Sequence, residues 1–224
     1  MIPWKQIDTA RVPGAEVELR LMQRGNEFSM KIGPNELMNS RLSGSEEALA
    51  TLACRRLEAV KAPHLLIGGL GMGFTLRAAL AVLGPKARIT VAELVPAVIA
   101  WAKGPMAEIF GDSLGDPRAS ILCADVIEVI QSHPATFDAI LLDVDNGPEG
   151  LIRKANDALY DSSGLKAIRR ALRPGGVLAV WSSGPHPAFS KRLRDAGFAV
   201  NEVAVRATAR RSGARHVIWF ATRP

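Results

Sequence analysis

The chain has 224 residues, 48% of them hydrophobic and only 5% aromatic, which is enough apolar material for one substantial domain with a small appendage and excludes a disordered chain. Its net charge is +6, from 28 basic and 22 acidic residues; the excess lies partly in Arg206, Arg210, Arg211, Arg215 and Arg223, expected as a solvated basic loop rather than a nucleic-acid surface. No apolar stretch approaches the roughly 20 residues that span a bilayer, and no signal pattern follows Met1, so a cytoplasmic protein without a membrane partner is the expectation.

Residues 14 to 40 read as a small β region. Val17, Leu19 and Leu21 alternate with charged residues, Gly25-Asn26 is a turn signal, and Phe28, Met30 and Ile32 alternate again. Ser45 is expected to open a helix, with Glu46 and Glu47 in its first turn and Leu49, Leu52, Ala53 and Leu57 at helical spacing. Two units follow from this reading, an N-terminal β region over 1–44 and a cofactor-binding domain over 45–224.

From residue 64 strands and helices alternate. Strands are expected at 64–69, 88–93, 120–123, 137–143 and 177–181. Helices are expected at 74–83, from about 96, at 126–131, at 164–172 and at 187–196, the fourth ended by Pro174-Gly175-Gly176. Parallel strands need crossover helices, so this order predicts a doubly wound, Rossmann-like α/β sheet. Two more strands at 199–205 and 216–221, joined by the arginine-rich loop, would form an antiparallel hairpin at one edge and make seven strands in all. Cys54 and Cys123 lie in apolar runs without metal-ligand spacing, so buried reduced thiols and no metal site are expected.

In such a sheet ligands bind beyond the carboxyl ends of the strands, so those ends carry the candidates. The first strand ends in Gly68-Gly69-Leu70-Gly71-Met72-Gly73, where Gly68, Gly69, Gly71 and Gly73 would let backbone N–H groups approach a ligand closely. The second ends in Glu93, a carboxylate able to accept both hydroxyls of a ribose. The third ends near Asp125, which could take the exocyclic amine of adenine, cap the next helix, or do both. Leu94 and Val126 stand beside these acids and join the cofactor site. The fourth ends in Asp143-Val144-Asp145-Asn146-Gly147-Pro148, where Asp143 and Asp145 are the catalytic candidates: a carboxylate there can orient an amine and take its proton. Trp181 would line the pocket or fill the interior, Tyr160 would pack, and the four histidines are expected at the surface or in turns.

These residues resemble the spermidine synthase (polyamine aminopropyltransferase) family within the class I methyltransferase fold. Gly68 to Gly73 is similar to that family's GGGDGG loop. Val91-Ala92-Glu93-Leu94 followed by Val98-Ile99, then Asp116-Pro117-Arg118 with Ala124-Asp125, match further stretches. Phe137 to Asp143 looks like its Y-D-[VA]-I-[IL]-x-D strand, and Leu172-Arg173-Pro174-Gly175-Gly176 like its L-K-P-G-G turn. The resemblance implies that Glu93 holds the ribose and Asp125 the adenine of a sulfonium cofactor, with Asp143 as the catalytic carboxylate.

Gly71 stands where the family has an acid that grips the amine of decarboxylated S-adenosylmethionine. Asn146 stands at the family's second acid, next to Asp145. The family's G-x-x-Q…Y-H-E segment reads Gly33…Glu36…Ser45-Glu46-Glu47, so that Glu36, Glu47 and Asn146 are the acceptor-binding candidates. A carboxylate at 71 would repel the carboxylate of intact S-adenosylmethionine, and glycine removes that discrimination. The leading expectation is therefore methyl transfer from S-adenosylmethionine to a small, amine-like acceptor. Aminopropyl transfer from the decarboxylated cofactor is the alternative, followed by a cofactor binder without chemistry and by an NAD-dependent oxidoreductase, whose fingerprint also joins a glycine turn to an acid. An N-terminal β region too small to stand alone invites a homodimer.

Overall fold

The computed structural model describes residues 2–144, 158–207 and 214–224. Its N-terminal part is a four-stranded antiparallel meander: β1 (Lys5–Arg11), β2 (Glu18–Arg24), β3 (Glu27–Ile32) and β4 (Asn35–Asn39), in the order β1-β2-β3-β4. Gly25-Asn26 turns β2 into β3, and Arg24 closes the hairpin with an ion pair to Glu27. Leu19 and Leu21 point inward as their alternation requires, and both are buried. Strand β1 has no counterpart in the sequence expectations. It is an edge strand with mostly exposed side chains and a register shift between Gln6 and Asp8, so backbone pairing rather than an apolar pattern makes it a strand.

The helix α1 (Gly44–Arg55) leads into the larger layer. Ser43, not Ser45, occupies its N-cap, and Ser45 lies buried in the first turn. Then come β5 (His64–Gly68), α2 (Phe74–Val82), β6 (Arg88–Glu93), α3 (Pro96–Lys103), α4 (Ala107–Phe110), a 3-10 turn (Gly111–Gly115), β7 (Ala119–Cys123), α5 (Val126–Ser132) and β8 (Phe137–Leu142). After the undescribed segment follow α6 (Ser162–Ala171), β9 (Leu172–Ser182), α7 (Pro187–Asp195), β10 (Ala199–Arg206) and β11 (Arg215–Thr222). Leu172 already belongs to β9, so Pro174-Gly175-Gly176 sits inside the strand rather than at a helix end.

The seven strands are ordered β10-β11-β9-β8-β5-β6-β7. Strands β5 to β9 run parallel, and β11 is antiparallel to both β9 and β10. The expected doubly wound α/β sheet with a C-terminal antiparallel hairpin is therefore present, beside a small N-terminal β region. Period-two alternation divides its core. Leu65, Ile67, Val91 and Leu141 face α1, α2 and α3, whereas Leu66, Ile140, Leu142 and Val180 face α5, α6 and α7. The first of these cores also takes in Leu19, Leu21, Phe28 and Met30, so the N-terminal sheet packs on the same side of the molecule. The Trp101 indole N–H donates to Asp8 at 2.6 Å, a further tie between β1 and α3.

Cys54 is buried, and burial pushes its thiol up to about 12. Cys123 is exposed, contrary to expectation, because it lies at the end of β7, the outer strand of the sheet. No described helix is long and apolar enough to cross a membrane.

A cleft at the strand ends

Strand order reverses between β5 and β8, on either side of the first strand of the sheet, and this is the switch point where a crevice opens. The cleft there is lined by the β5–α2 turn, the ends of β6, β7 and β8, the first turn of α1 and one face of the N-terminal sheet. Glycines shape its floor. Gly73 sits at the N-cap of α2 with φ +78°, and a Cβ there would clash with the edge of the buried Phe110 ring. A Cβ on Gly71 would meet the Met38 sulfur and methyl at 2.8 Å, so the N-terminal sheet already fills the space above that residue. Gly68 lies outside the lining: it is buried, with Leu142 and Val126 against it, and serves packing.

Glu93 is only 7% exposed and works as a clasp. One carboxylate oxygen accepts the Leu70 N–H at 2.9 Å and the other the Val95 N–H at 2.8 Å, so the end of β6 holds the glycine turn in place. Burial raises its pKa, and the backbone N–H groups of Val95, Leu70, Gly71 and Leu94 oppose the rise. Asp125 caps α5 by accepting the Ile127 N–H at 3.1 Å and also lines the cleft, as do Leu94 and Val126. Two acids and the glycine turn thus face one volume from three neighbouring strand ends.

Asp143 stands at the end of β8, in the middle of the cleft. It keeps a little surface, yet protein surrounds its carboxyl group, and burial followed by the negative charge of Glu46 pushes its pKa up to about 7. The Thr75 hydroxyl, 3.3 Å from Oδ2, acts in the opposite direction. Burial also raises the pKa of Glu46, which the Ser45 hydroxyl counters and the charge of Glu47 reinforces. That Ser45 hydroxyl donates to Glu46 at 2.7 Å and lies 2.9 Å from His216 Nδ1. His216 in turn stands edge-on to Trp181, with ring centroids 4.8 Å apart, so it is a half-buried strand residue rather than a surface or turn one.

The structure does not bring every acceptor candidate to the cleft. Glu47 is exposed, accepts the Ser43 hydroxyl at 2.8 Å and borders a separate shallow groove with Arg77 and Asp112. Glu36 accepts the Ser29 hydroxyl at 2.6 Å and the Asn39 amide at 2.7 Å, and its carboxylate is 3.6 Å from Arg41. Neither lines the cleft. Asp145 and Asn146 lie outside the described residues. The acid that does reach Asp143 is Glu46, and helical spacing carried the signal: Glu46, Leu49, Ala50 and Ala53 follow an i, i+3, i+4, i+7 pattern on the covered face of α1. Thr75 and Met38 had no such signal, since each acts through a partner distant in sequence. Trp181 lines the cleft at 8% exposure, with its indole N–H unpartnered. Tyr160 packs edge-on against Phe189.

Comparison with known proteins gives a consistent picture. The sequence model described as the Spermine/spermidine synthase domain matches residues 46–193, more than half of the chain. Polyamine aminopropyltransferase 1 of Streptomyces coelicolor is 30% identical over 157 residues, covering 66% of this chain and 29% of that protein. The polyamine aminopropyltransferase of Korarchaeum cryptofilum is 31% identical over 122 residues, covering 54% and 36%. The match therefore spans about a third of the length of these relatives. Among solved structures, spermidine synthase from Thermotoga maritima has a TM-score of 0.77 at 18% identity, covering 98% of this chain and 73% of that one. A spermidine synthase in complex with the transition-state analogue AdoDATO gives 0.75 at 18% identity, with the same coverage. At that identity the structural likeness concerns the fold.

Proposed function

The chain belongs to the spermine/spermidine synthase domain family, and from that premise we propose that it transfers an aminopropyl group from a decarboxylated S-adenosylmethionine-type donor to an amine. The observation that carries this reading is Asp143: a carboxyl group enclosed beside Glu46, raised to about 7, at the one place where the strand ends, α1 and the N-terminal sheet meet. Two acids facing each other in a cleft favour a cationic guest, because each relieves its like-charge neighbour only by gaining a proton or a cation.

The residues fit an adenosyl donor. The Gly69 to Gly73 turn lines the cleft, Glu93 and Asp125 are the acids for the ribose and the adenine amine, and Leu94 and Val126 flank them. Bound there, the donor supplies a carbon on sulfonium sulfur, whose C–S pair leaves with the sulfur as the C–N bond forms. The protein's own part is positional and electrostatic. Asp143, with Thr75 steadying one oxygen, orients the amine and receives the proton it sheds. A carboxyl group that titrates near neutrality is matched to that exchange. Glu46 adds the negative charge that draws the amine in.

A second reading, methyl transfer from intact S-adenosylmethionine, is favoured by one observation. Position 71 carries no carboxylate, and the Met38 thioether above it is neutral. Neither group repels a donor carboxylate. The names of the relatives support the aminopropyl reading, and the mass of the product separates the two.

The test pairs calorimetry with turnover. Wild type is expected to bind the decarboxylated donor and to form an aminopropylated amine. Asp143→Asn should lower turnover by about 100-fold or more while donor affinity changes less than threefold. Undiminished turnover in that variant, or binding of NAD and of neither sulfonium compound, would sink the proposal.

A further inference from the structure

The C-terminal hairpin reaches the acid pair of the cleft. Strand β11 runs antiparallel to β9, with Ile218 opposite Trp181 and Val217 opposite Ser182, so its first residues lie at the carboxyl ends of the parallel strands. His216 stands two residues before Ile218 and therefore shares its face, the one that α1 covers. Two bonds tie the hairpin to the start of that helix. The Gly44 N–H donates to the Ala207 carbonyl at 3.1 Å, and His216 Nδ1 lies 2.9 Å from the Ser45 hydroxyl oxygen. The Trp181 indole, edge-on to the imidazole, limits how that ring can turn.

The direction of the second bond follows from counting protons. Ser45 is buried, and it gives its single hydroxyl proton to Glu46 Oε2 at 2.7 Å. The hydroxyl oxygen is then left to accept from the imidazole, so Nδ1 is the nitrogen that carries a proton. Burial holds the His216 pKa below its ordinary 6.5, which leaves one ring proton at neutral pH and none on Nε2. The result is a chain of donors, imidazole to hydroxyl to carboxylate, that ends on the acid whose charge acts on Asp143. The Ser45 bond is the main influence opposing the burial of Glu46, whose charged neighbours are Asp143 on β8 and Glu47 on its own helix.

We infer that His216 and Ser45 are positioning residues of the cleft: His216 donates through Nδ1 to Ser45, and Ser45 donates to Glu46 and turns that carboxylate toward Asp143. Neither residue lines the cleft, so both act on the amine through Glu46. The part this chain plays in amine binding rests on the alkyl-transfer reading, whereas the chain itself does not.

The experiment reads the full chain by NMR and by kinetics. In ligand-free wild type at neutral pH, the His216 ring should show a protonated Nδ1 and a bare Nε2, assigned by their loss in His216→Phe. Ser45→Ala should shift the ring proton toward Nε2. It should also raise the titration midpoint of the Glu46 carboxyl carbon by about one pH unit, a tenfold change in proton affinity. His216→Phe should raise that midpoint by less, and His216→Asn, whose amide N–H replaces Nδ1, should restore it. Thermal melting checks that each variant folds. With the decarboxylated donor and 1,4-diaminobutane, Ser45→Ala should raise KM for the amine by about tenfold, with kcat and donor affinity within about twofold of wild type. A wild-type ring protonated on Nε2, a Glu46 midpoint that ignores Ser45→Ala, or an unchanged amine KM in that variant overturns the inference. Use of no amine by wild type although the donor binds overturns alkyl transfer instead, and the Glu46 titration then decides the inference alone.

Discussion

At the rim of the seven-stranded sheet, each acid that faces the cleft is braced by groups close to it in the chain or one strand away. Glu93 grips Leu70 and Val95, Asp125 grips Ile127, and Gly73 is pinned beneath Phe110. The N-terminal sheet that covers the rim brings no such grip. It lines the cleft with leucine, isoleucine and methionine side chains. The rim presents fixed polar groups to the cleft, and the cover presents an apolar face. The two layers thus differ in how they are braced and in their tolerance of change.

That division predicts a gradient of mutational cost. The largest effect belongs to the floor of the rim. Gly73→Ala forces a Cβ against the edge of the buried Phe110 ring at a left-handed backbone position. Overpacking and left-handed strain together cost roughly 3 kcal/mol, read as a drop of about 10 °C in Tm. A variant that melts like wild type would show that the rim is not the rigid layer.

Next comes the group between the layers. The Asp143 pKa is raised from an ordinary 3.8 to about 7 in the folded protein. Below about pH 4 the carboxyl group is protonated whether the chain is folded or not, so burial costs little. As pH rises toward 7 the unfolded chain loses the proton first, and the folded state loses stability until the folded group also ionises. Glu46, also raised by burial, contributes in the same direction. Asp143→Asn should therefore gain on wild type by roughly 4 kcal/mol between pH 4 and pH 8, measured by urea unfolding at both pH values. A constant difference across that range would remove the buried-carboxyl account.

The smallest effect lies on the outer side of the cover. Glu36→Gln keeps the shape and alters bonds to Ser29, Asn39 and Arg41 that face away from the cleft. Stability should fall by about 1 kcal/mol or less, and KM for the acceptor should not move. A raised KM would return Glu36 to the acceptor site and break the contrast between the faces of this sheet.

Much of this was legible in the residues. The alternation of Leu65, Ile67 and Leu66 states which side of β5 each helix covers, and the doubly wound order follows from the spacing of strands and helices. The glycine turn, Glu93, Asp125 and Asp143 were legible because each stands at the end of an apolar run, where any parallel strand delivers its last side chain to the crevice. Other features had no local trace. Strand β1 lacks an apolar pattern, and Cys123 looks buried until β7 proves to be an edge. The sequence alone therefore determined the sheet, the acids at its strand ends and the family, since these rest on short-range periodicity and on chain segments of a few residues. Only the tertiary structure decided that Glu46 rather than Glu47 meets Asp143, that Met38 fills the space over Gly71, and that the cover is apolar. Those contacts join segments dozens of residues apart, and their geometry is set by how two sheets and a helix pack, which no local pattern encodes.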